Sequence, residues 1–362
     1  MRMGVRCFGD HGMRPKSTDS PQRAASLLPL CILWIASFLS GGGYSSEEWS
    51  YVASLSDHLE GSSNFSIAIE QHGNLQSFEF WDGLPEDTKS LDVRLYGKVG
   101  CENKRTVVVC HSGPRAWHPP LFQTPPCPPD GYGKYMAVIG RTMFESDRVN
   151  VEHAKSNRMD AVWVPTDFLL LVVGLMGPSS RRVSAGVSLY LLTNPYHSDR
   201  NFGNKILDFV RISGLHRPSN GWARVYVISK HIAQADLPRK YKAADAFVLP
   251  LRGEGWGRPL IEAMAMSLPV ISTNWSGPTE YLTDENSYPL PVHKMSEVLD
   301  GPFKGHLWAE PSVDQLSILM RRVVERSEGS TAKGRKARED MIARFAPGIV
   351  ADEFQHLVKA MQ

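Results

Sequence analysis

The chain has 362 residues, a formal net charge of +2, 42% apolar residues and 22% charged residues. These values indicate a globular protein of about two domains and give no support for a nucleic-acid-binding or polybasic membrane-binding protein. No stretch reaches the roughly eighteen apolar residues of a membrane span. The cysteines are odd in number and form no CxxC pair, which argues against a disulfide framework or a zinc site and favours a reducing, cytoplasmic compartment. They are Cys7, Cys31, Cys101, Cys110 and Cys127.

The N-terminal segment allows two interpretations. Residues 1–26 carry five basic and two acidic residues and are predicted to be disordered, and the apolar run LLPLCILWIASFL follows at 27–39. We expect this run to contain a buried first strand, because the glycine turn GGGYSSEE at 41–48 comes directly after it, as in many α/β domains. The alternative is a signal segment that leads to the secretory pathway.

Short aliphatic and β-branched runs alternate with helical stretches along the rest of the chain. Strands are predicted at 31–37, 65–70, 106–110, 135–140, 161–165, 189–193, 225–229, 246–251 and 269–273. Helices are predicted at 47–59, 203–213, 236–245, 259–267, 313–327 and 332–345. Strands that are apolar on both faces and separated by helices are typical of parallel sheets covered on both sides.

These elements predict two α/β domains that face a cleft. The predicted order is an N-terminal domain at 27–176, a linker at 177–186, a C-terminal domain at 187–345 and a final helix at 346–362. Residues 113–133 contain seven prolines and no periodicity, so they are predicted to form a long rigid loop.

The stretch LRGEGWGRPLIEAM at 251–264 combines a glycine turn with two glutamates. Pro259 suits the first turn of a helix, so the turn at 253–258 lies between the end of a strand and a helix N-terminus. Free backbone N–H groups and the helix dipole bind anions such as phosphate at that position. Carboxylates accept hydrogen bonds from sugar hydroxyls, and Glu254 and Glu262 flank the anion site. The pattern therefore predicts a nucleotide-sugar site, with a solvent-facing helix start as the alternative.

Other polar residues follow predicted strands or open predicted helices. His72 and His111 come directly after two N-terminal strands, at the edge of the sheet where α/β proteins bind ligands. Each is a candidate cleft residue, with a structural histidine as the alternative. Arg141 is a candidate for the acceptor pocket, with a buried ion-pair network as the alternative. Gly42 and Gly43 are expected to face the donor phosphates or the acceptor.

The block GEGWGRPLIEAMAMSLPVISTNWSGPTEYL resembles the E-x7-E motif of group 1, family 4 glycosyltransferases, and most of all their plant-type members. YKAADAFVLP at 241–250 and GGGYSSEEW at 41–49 are also similar to that family. The resemblance covers residues 31–168 and 187–345. It implies a GT-B fold of two Rossmann-like domains, in which the N-terminal domain binds the acceptor and the C-terminal domain binds the nucleotide diphosphate sugar.

The resemblance also implies a role for each residue of the motif. Glu254 would contact hydroxyls of the donor sugar, and Glu262 would contact the ribose. The diphosphate would be held by the backbone N–H groups of Gly255, Trp256 and Gly257. Independently of the resemblance, the position of Arg258 at the helix N-terminus predicts a charge-assisted bond to the diphosphate.

Two further residues and the reaction follow from the same resemblance. His111 corresponds to a cleft histidine near the donor. Glu280 belongs to the loop that follows the motif and is a candidate cleft or acceptor residue. Members of the family retain the anomeric configuration, and the absence of a D-x-D sequence agrees with a metal-independent enzyme. The resemblance implies no cofactor, since the nucleotide sugar is a co-substrate. The acceptor, whether a glycan, a lipid or a small molecule, is not specified.

The chain departs from the family near residues 169–186. Relatives have a longer segment there, which includes the first strand of the C-terminal domain and a loop whose Arg and Lys bind the diphosphate. The C-terminal domain is therefore predicted to be incomplete. The alternative is that LLLVV at 169–173 fills the vacant strand position and that Arg181 or Arg182 replaces the cations. This difference motivates an alternative function, in which a catalytically impaired variant binds nucleotide sugar and has a binding or regulatory role.

Overall fold

A computed structural model describes residues 5–7, 29–59, 65–73, 76–98, 101–121, 123–143, 158–163, 188–192, 204, 208, 224–228, 232–301, 303–325 and 327–360. The strands are β1 Val5–Cys7, β2 Leu30–Ala36, β3 Phe65–Gln71, β4 Thr106–His111, β5 Ala137–Arg141, β6 Ala161–Trp163, β7 Ser188–Leu192, β8 Arg224–Ile228, β9 Phe247–Leu249, β10 Val270–Thr273, β11 Tyr288–Leu290, β12 Val292–Glu297 and β13 Leu307–Pro311. The α-helices are α1 Gly43–Leu59, α2 Phe78–Asp82, α3 Glu86–Leu95, α4 Leu237–Lys242, α5 Arg258–Ala265, α6 Val313–Glu325, α7 Ser327–Phe345 and α8 Pro347–Ala360.

The predicted strands and most predicted helices are confirmed, with ends that shift by a few residues. The predicted linker at 177–186 and the shortened segment at 169–186 lie outside the described residues. Of the helix predicted at 203–213, only residues 204 and 208 are described, and both are helical. Residues 5–7 lie in the segment for which disorder is predicted, but they form a strand that pairs antiparallel with β6.

The N-terminal domain is built on a six-stranded sheet in the order β1-β6-β5-β4-β2-β3. All neighbouring strands except β1 and β6 are parallel, as predicted. Strand β2 lies between β3 and β4, where Trp34 is in register with Ile69 and Val109. The apolar run at 27–39 therefore contains a core strand of this sheet.

The last helix of the chain packs on the first domain. Trp34 is fully buried, and its ring lies 5.4 Å from that of Phe354 on α8 and 5.9 Å from that of Tyr51 on α1. The predicted C-terminal helix thus completes the hydrophobic core of the N-terminal domain.

Two disulfides contradict the expectation that the cysteines are unpaired. Cys31 at the start of β2 is bonded to Cys101, and Cys110 at the end of β4 is bonded to Cys127 in the proline-rich loop. The Cα–Cα distances of 6.1 Å and 5.7 Å lie in the usual range for disulfides. The expectation is wrong because the pairing depends on the fold, which cysteine spacing does not reveal. Cys31 on β2 lies beside the start of β4, close to Cys101, and the proline-rich loop folds back so that Cys127 meets Cys110. Because four cysteines are paired, cysteine usage no longer favours a reducing, cytoplasmic compartment.

The C-terminal domain contains two parallel units and a hairpin among the described residues. Strands β9, β10 and β11 form a parallel sheet in the order β11-β10-β9, and β7 pairs with β8. The antiparallel hairpin β12–β13 was not predicted, because the sequence VHKMSE of β12 has no apolar periodicity. The hairpin packs through Met295 and Ala309 against Trp275, in the loop after β10.

The parallel sheets fix where loops can meet. Strands β9 and β10 are in register, so the glycine turn after β9 and the loop after β10 emerge at the same edge. In the N-terminal domain, the ends of β4 and β5 are likewise in register, at His111 and Arg141. Among the described helices, none is both long enough and apolar enough to cross a membrane.

Candidate functional site

The glycine turn between β9 and α5 forms the wall of the candidate site. Gly257 has a φ of 81°, in the left-handed region that favours glycine, and it immediately precedes α5. A Cβ added to Gly255 would lie 2.7 Å from side-chain atoms of Met143, which follows β5 of the other domain. A Cβ added to Gly277 would collide with the carbonyl oxygen of Gly255. The turn is therefore packed between two loops that leave no room for side chains at these glycines.

Glu254 is half-buried and its carboxylate faces the same turn. Burial raises the pKa of Glu254 above its ordinary value, and hydrogen bonds from the backbone of Trp256, Gly257 and Gly255 oppose that increase. The N–H groups expected to hold a diphosphate thus lie near the carboxylate of the same turn and favour its ionised form.

Glu262 lies on the first turns of α5, between an arginine and a tyrosine. Arg258 donates to Glu262 Oε1 from Nε at 3.3 Å and from Nη2 at 3.2 Å. Tyr241 Oη donates to Glu262 Oε2 at 3.0 Å. Burial and the negative charge of Glu262 both raise the pKa of Tyr241, so the hydroxyl remains a donor. Tyr241 was missed by the sequence analysis, although it lies in the segment YKAADAFVLP that resembles the family.

Arg258 also joins the two domains. Its Nη1 donates to Ser50 Oγ on α1 at 3.0 Å. The arginine predicted to bind a diphosphate is therefore occupied by Glu262 and Ser50 in this structure. It holds the start of α5 against the first helix of the N-terminal domain.

The loop after β10 packs against the glycine turn and is hydrogen-bonded to it. Tyr281 is fully buried and its Oη donates to the carbonyl oxygen of Trp256 at 2.7 Å. Glu280, predicted to line the cleft, forms an ion pair with Arg344 at 2.6 Å and contributes its carbonyl oxygen to the same arginine. The structure thus gives Glu280 a partner on α7, and it adds Tyr281, which sequence reasoning missed.

His111 and Arg141 meet in a buried cluster around Glu47 of α1. His111 Nε2 lies 3.1 Å from Glu47 Oε2, and Trp34 Nε1 donates to His111 Nδ1 at 3.3 Å. Arg141 Nη2 forms an ion pair with Glu47 Oε1. His111 and Arg141 are both 0% exposed, so neither side chain reaches the cleft surface in this structure. The alternative of a buried ion-pair network therefore describes Arg141.

The charges of this cluster follow from its burial. Burial lowers the pKa of His111 to about 4, which leaves the imidazole neutral at neutral pH. Burial alone would raise the pKa of Glu47, but the Arg141 charge and the His111 hydrogen bond bring it down to about 2. An ionised glutamate thus lies between a charged arginine and a neutral histidine. Glu47 was missed because nothing in the sequence links α1 to residues nearly a hundred positions away.

His72 and the glycine loop give the remaining predicted positions. His72 is 3% exposed, and neither ring nitrogen has a hydrogen-bond partner among the described residues. Burial lowers its pKa to about 4. Gly42 is half-buried and Gly43 is exposed at the first turn of α1. Their expected contacts with donor or acceptor remain predictions.

The described residues contain no cluster of three or more His, Cys, Asp or Glu side chains that fits a metal ion. The polar groups that surround the turn are instead N–H groups, carboxylates and one arginine. Such groups are suited to a ligand that combines anionic oxygen atoms with hydroxyls.

Comparison with known families locates one match, in the C-terminal domain. The family described as Glycosyl transferases group 1 matches residues 213–299. The matched range contains both glutamates of the E-x7-E motif and Glu280. A search of curated proteins found no match.

Comparison with solved structures supports the two-domain fold. Sucrose-phosphate synthase from Thermosynechococcus elongatus has a TM-score of 0.52 and 13% identity, over 91% of this chain and 98% of that chain. Anabaena Alr3699/HepE in complex with UDP has a TM-score of 0.52 and 11% identity, over 91% of this chain and 99% of that chain. At these identities the two matches establish the GT-B fold and nothing further.

A third structure matches a smaller part. The C-terminal domain of the glycosyl transferase group 1 family protein LpcC from Francisella tularensis has a TM-score of 0.30 and 21% identity. The match covers 41% of this chain and 64% of that chain, which is less than two thirds of its length.

Proposed function

We propose that this chain, whose matched domain and GT-B fold support a group 1 glycosyltransferase, is a retaining enzyme of the family 4 kind. It transfers a sugar from a nucleotide diphosphate sugar to an acceptor hydroxyl, without a metal ion or an additional cofactor. The acceptor is a glycan, a lipid or a small molecule. The nucleotide-sugar donor is also the class of ligand suggested by the UDP bound to Alr3699/HepE.

The observation that carries this proposal is the glycine turn at the carboxyl edge of the C-terminal sheet. The turn leads into the N-terminus of α5, its backbone N–H groups favour the ionised form of Glu254, and Glu254 and Glu262 lie on either side of it. Anionic oxygens bind the N–H groups, and hydroxyls bind the carboxylates. A nucleotide diphosphate sugar supplies both kinds of group in the required order.

The contacts of each glutamate suggest a division of roles. Arg258 and Tyr241 hold the Glu262 carboxylate in place, so it is ready to accept bonds from ribose hydroxyls. The Glu254 carboxylate shares the N–H groups of the turn. A bound diphosphate takes over those groups and leaves the carboxylate to accept bonds from hydroxyls of the donor sugar.

The chemical step needs no protein nucleophile. The bond between the anomeric carbon and the diphosphate oxygen breaks, and a bond to the acceptor oxygen forms on the same face. The acceptor proton passes to the departing phosphate oxygen. His111 is buried and neutral, so in our proposal it supports the wall of the cleft through Glu47 and has no direct contact with the donor.

The alternative of a catalytically impaired variant is based on the sequence difference near residues 169–186, which lie outside the described residues. Measurement of donor turnover by the chain separates the two functions.

The first test is a thermal-shift panel of UDP, GDP and ADP with their glucose esters. We expect one nucleotide to raise the melting temperature, because a ligand that binds only the folded state stabilises it. Calorimetric titration of that nucleotide then gives its affinity for the wild-type chain. If no nucleotide or nucleotide sugar in the panel binds, the proposed function is wrong.

A further inference from the structure

Ser276 has an unusual backbone conformation beside the glycine turn. It follows β10 and precedes the short 3-10 turn Gly277–Glu280, with φ 55° and ψ −147°. That region of backbone space is occupied almost only by glycine, and a serine there carries strain. Ser276 is also 1% exposed, so the conformation is enclosed by the protein. Strain of this kind persists where the surrounding contacts enforce it, and it clusters at functional sites.

The contacts that enforce the conformation are made to Glu254. The Glu254 backbone N–H donates to Ser276 Oγ at 2.9 Å. Ser276 Oγ donates in turn to the Glu254 carbonyl oxygen, also at 2.9 Å. One hydroxyl therefore satisfies both backbone polar groups of the same glutamate. An alanine or glycine at position 276 has no group that can do this.

Neighbouring residues anchor Ser276 itself. Thr279 Oγ1 donates to the Ser276 carbonyl oxygen at 2.7 Å. The Gly277 N–H donates to the Glu254 carbonyl oxygen at 2.9 Å, beside the serine hydroxyl. Trp275 is packed against the β12–β13 hairpin. The loop is thus held to the hairpin on one side and to Glu254 on the other.

We propose that Ser276 is a positioning residue, which fixes the main chain of Glu254 so that its carboxylate meets the hydroxyls of the donor sugar. The inference rests on the proposed function, because it gives Glu254 the donor sugar as its ligand. The hydroxyl determines the register between the loops after β9 and β10. The strained backbone lets the hydroxyl reach both polar groups of Glu254.

Two substitutions of Ser276 separate the effect of its hydroxyl from the effect of its strained backbone. Ser276→Gly removes the hydroxyl and relieves the backbone strain, whereas Ser276→Ala removes the hydroxyl and keeps the strain. Ser267→Gly is the matched control, because Ser267 also has a positive φ of 63° and none of its described hydrogen bonds involves the glycine turn. It lies just beyond the other end of α5.

The first readout does not depend on the proposed function. Hydrogen exchange, followed by mass spectrometry, measures protection of the backbone amides at 250–258. We expect exchange to be about fivefold faster in Ser276→Gly and Ser276→Ala, because the Glu254 amide loses its acceptor. Exchange in Ser267→Gly should equal that of the wild type. The melting temperature of Ser276→Gly should not fall below that of Ser276→Ala.

The second readout is calorimetric binding by the folded variants. Ser276→Gly should bind the nucleotide sugar about tenfold more weakly than the wild type, while its affinity for the plain nucleoside diphosphate changes less than about twofold. If wild-type binding fails, the proposed function is wrong, but the exchange data still report whether Ser276 holds the loop. Unchanged exchange, or faster exchange with unchanged nucleotide-sugar affinity, would overturn the positioning role.

Discussion

Arg258 donates a hydrogen bond to Ser50 across the two domains while it also forms an ion pair with Glu262, at 3.0 Å and 3.2 Å respectively. One guanidinium thus connects the start of α5, the second glutamate of the motif and the first helix of the N-terminal domain. Its charge also contributes to the low pKa of Glu47 in the buried cluster. The relative position of the domains and the orientation of Glu262 are therefore coupled through a single side chain.

We therefore expect substitutions of Arg258 and Ser50 to have different effects on nucleotide affinity. Arg258→Ala should weaken nucleoside diphosphate binding by about 10- to 150-fold, because Glu262 loses the arginine that holds its carboxylate in place. A hydrogen bond to a charged group contributes roughly 1.5–3 kcal/mol. Ser50→Ala removes only the contact between domains, and since Ser50 is exposed it should change affinity by less than about threefold. Calorimetry on both variants provides the measurement. Equal losses would mean that Arg258 acts mainly through the domain contact.

The disulfides predict how many cysteines are free. Alkylation of the denatured protein without reductant should modify one of the five cysteines, and alkylation after reduction should modify all five. The Cys110→Ser/Cys127→Ser double variant should lose up to about 3 kcal/mol of stability, since a sequence separation of 17 residues closes a short loop. Modification of four or five cysteines before reduction would contradict the pairing and restore the argument for a reducing compartment.

Buried histidines predict that the protein is less stable in acid. His72 and His111 have a pKa of about 4 in the folded chain, below the ordinary value of 6.5, so the unfolded state binds more protons between these values. The free energy of unfolding should therefore fall as the pH decreases from 6.5 to 4. Glu47, with a pKa of about 2, adds a further loss between pH 4.5 and 2.

His72→Leu isolates one of these groups. The variant should reduce the slope of unfolding free energy against pH by about one proton between pH 6.5 and 4. It should also be no less stable than the wild type at pH 5, because neither nitrogen of the buried imidazole has a partner among the described residues. Urea unfolding at several pH values measures both effects. An unchanged slope would mean that His72 is exposed to solvent or paired in solution.

A longer segment in place of residues 169–186 is predicted to increase the activity of the chain. Replacement of residues 169–186 by the longer segment of a relative should supply a strand between β7 and β9 and the cations of its loop. We expect stability, donor binding and transfer to increase together, with turnover higher by roughly 10²- to 10⁴-fold if two charge-assisted bonds are gained. If the chain as it stands turns over the donor as fast as the chimera, the segment is not limiting. Arg181 and Arg182 then become the candidate cations.

The sequence predicted those parts of the fold that depend on local pattern. Strands such as β2 and β4 are apolar on both faces, and the E-x7-E block has a distinctive order of glycines and glutamates. The contacts made by the side chains were less predictable. His111 and Arg141 are buried because Glu47 on another element pairs with both, and Cys127 reaches Cys110 only because the proline-rich loop folds back onto β4. The positive φ of Ser276 could not be predicted from the sequence, because serine rarely adopts that conformation.

The proposed ligand of the glycine turn and its two glutamates is a nucleotide diphosphate sugar. The decisive experiment is calorimetric titration of Glu254→Ala and Glu262→Ala with the nucleoside diphosphate and with its sugar ester. Removal of a buried hydroxyl partner costs about 1–3 kcal/mol, or roughly 5- to 150-fold in affinity. We predict that Glu262→Ala loses affinity for both ligands, whereas Glu254→Ala loses affinity for the sugar ester and nearly retains that for the plain nucleotide. Equal effects of the two substitutions on the plain nucleotide would show that the glutamates do not bind the ribose and the donor sugar separately. No effect of either substitution would show that the turn is not the nucleotide-sugar site.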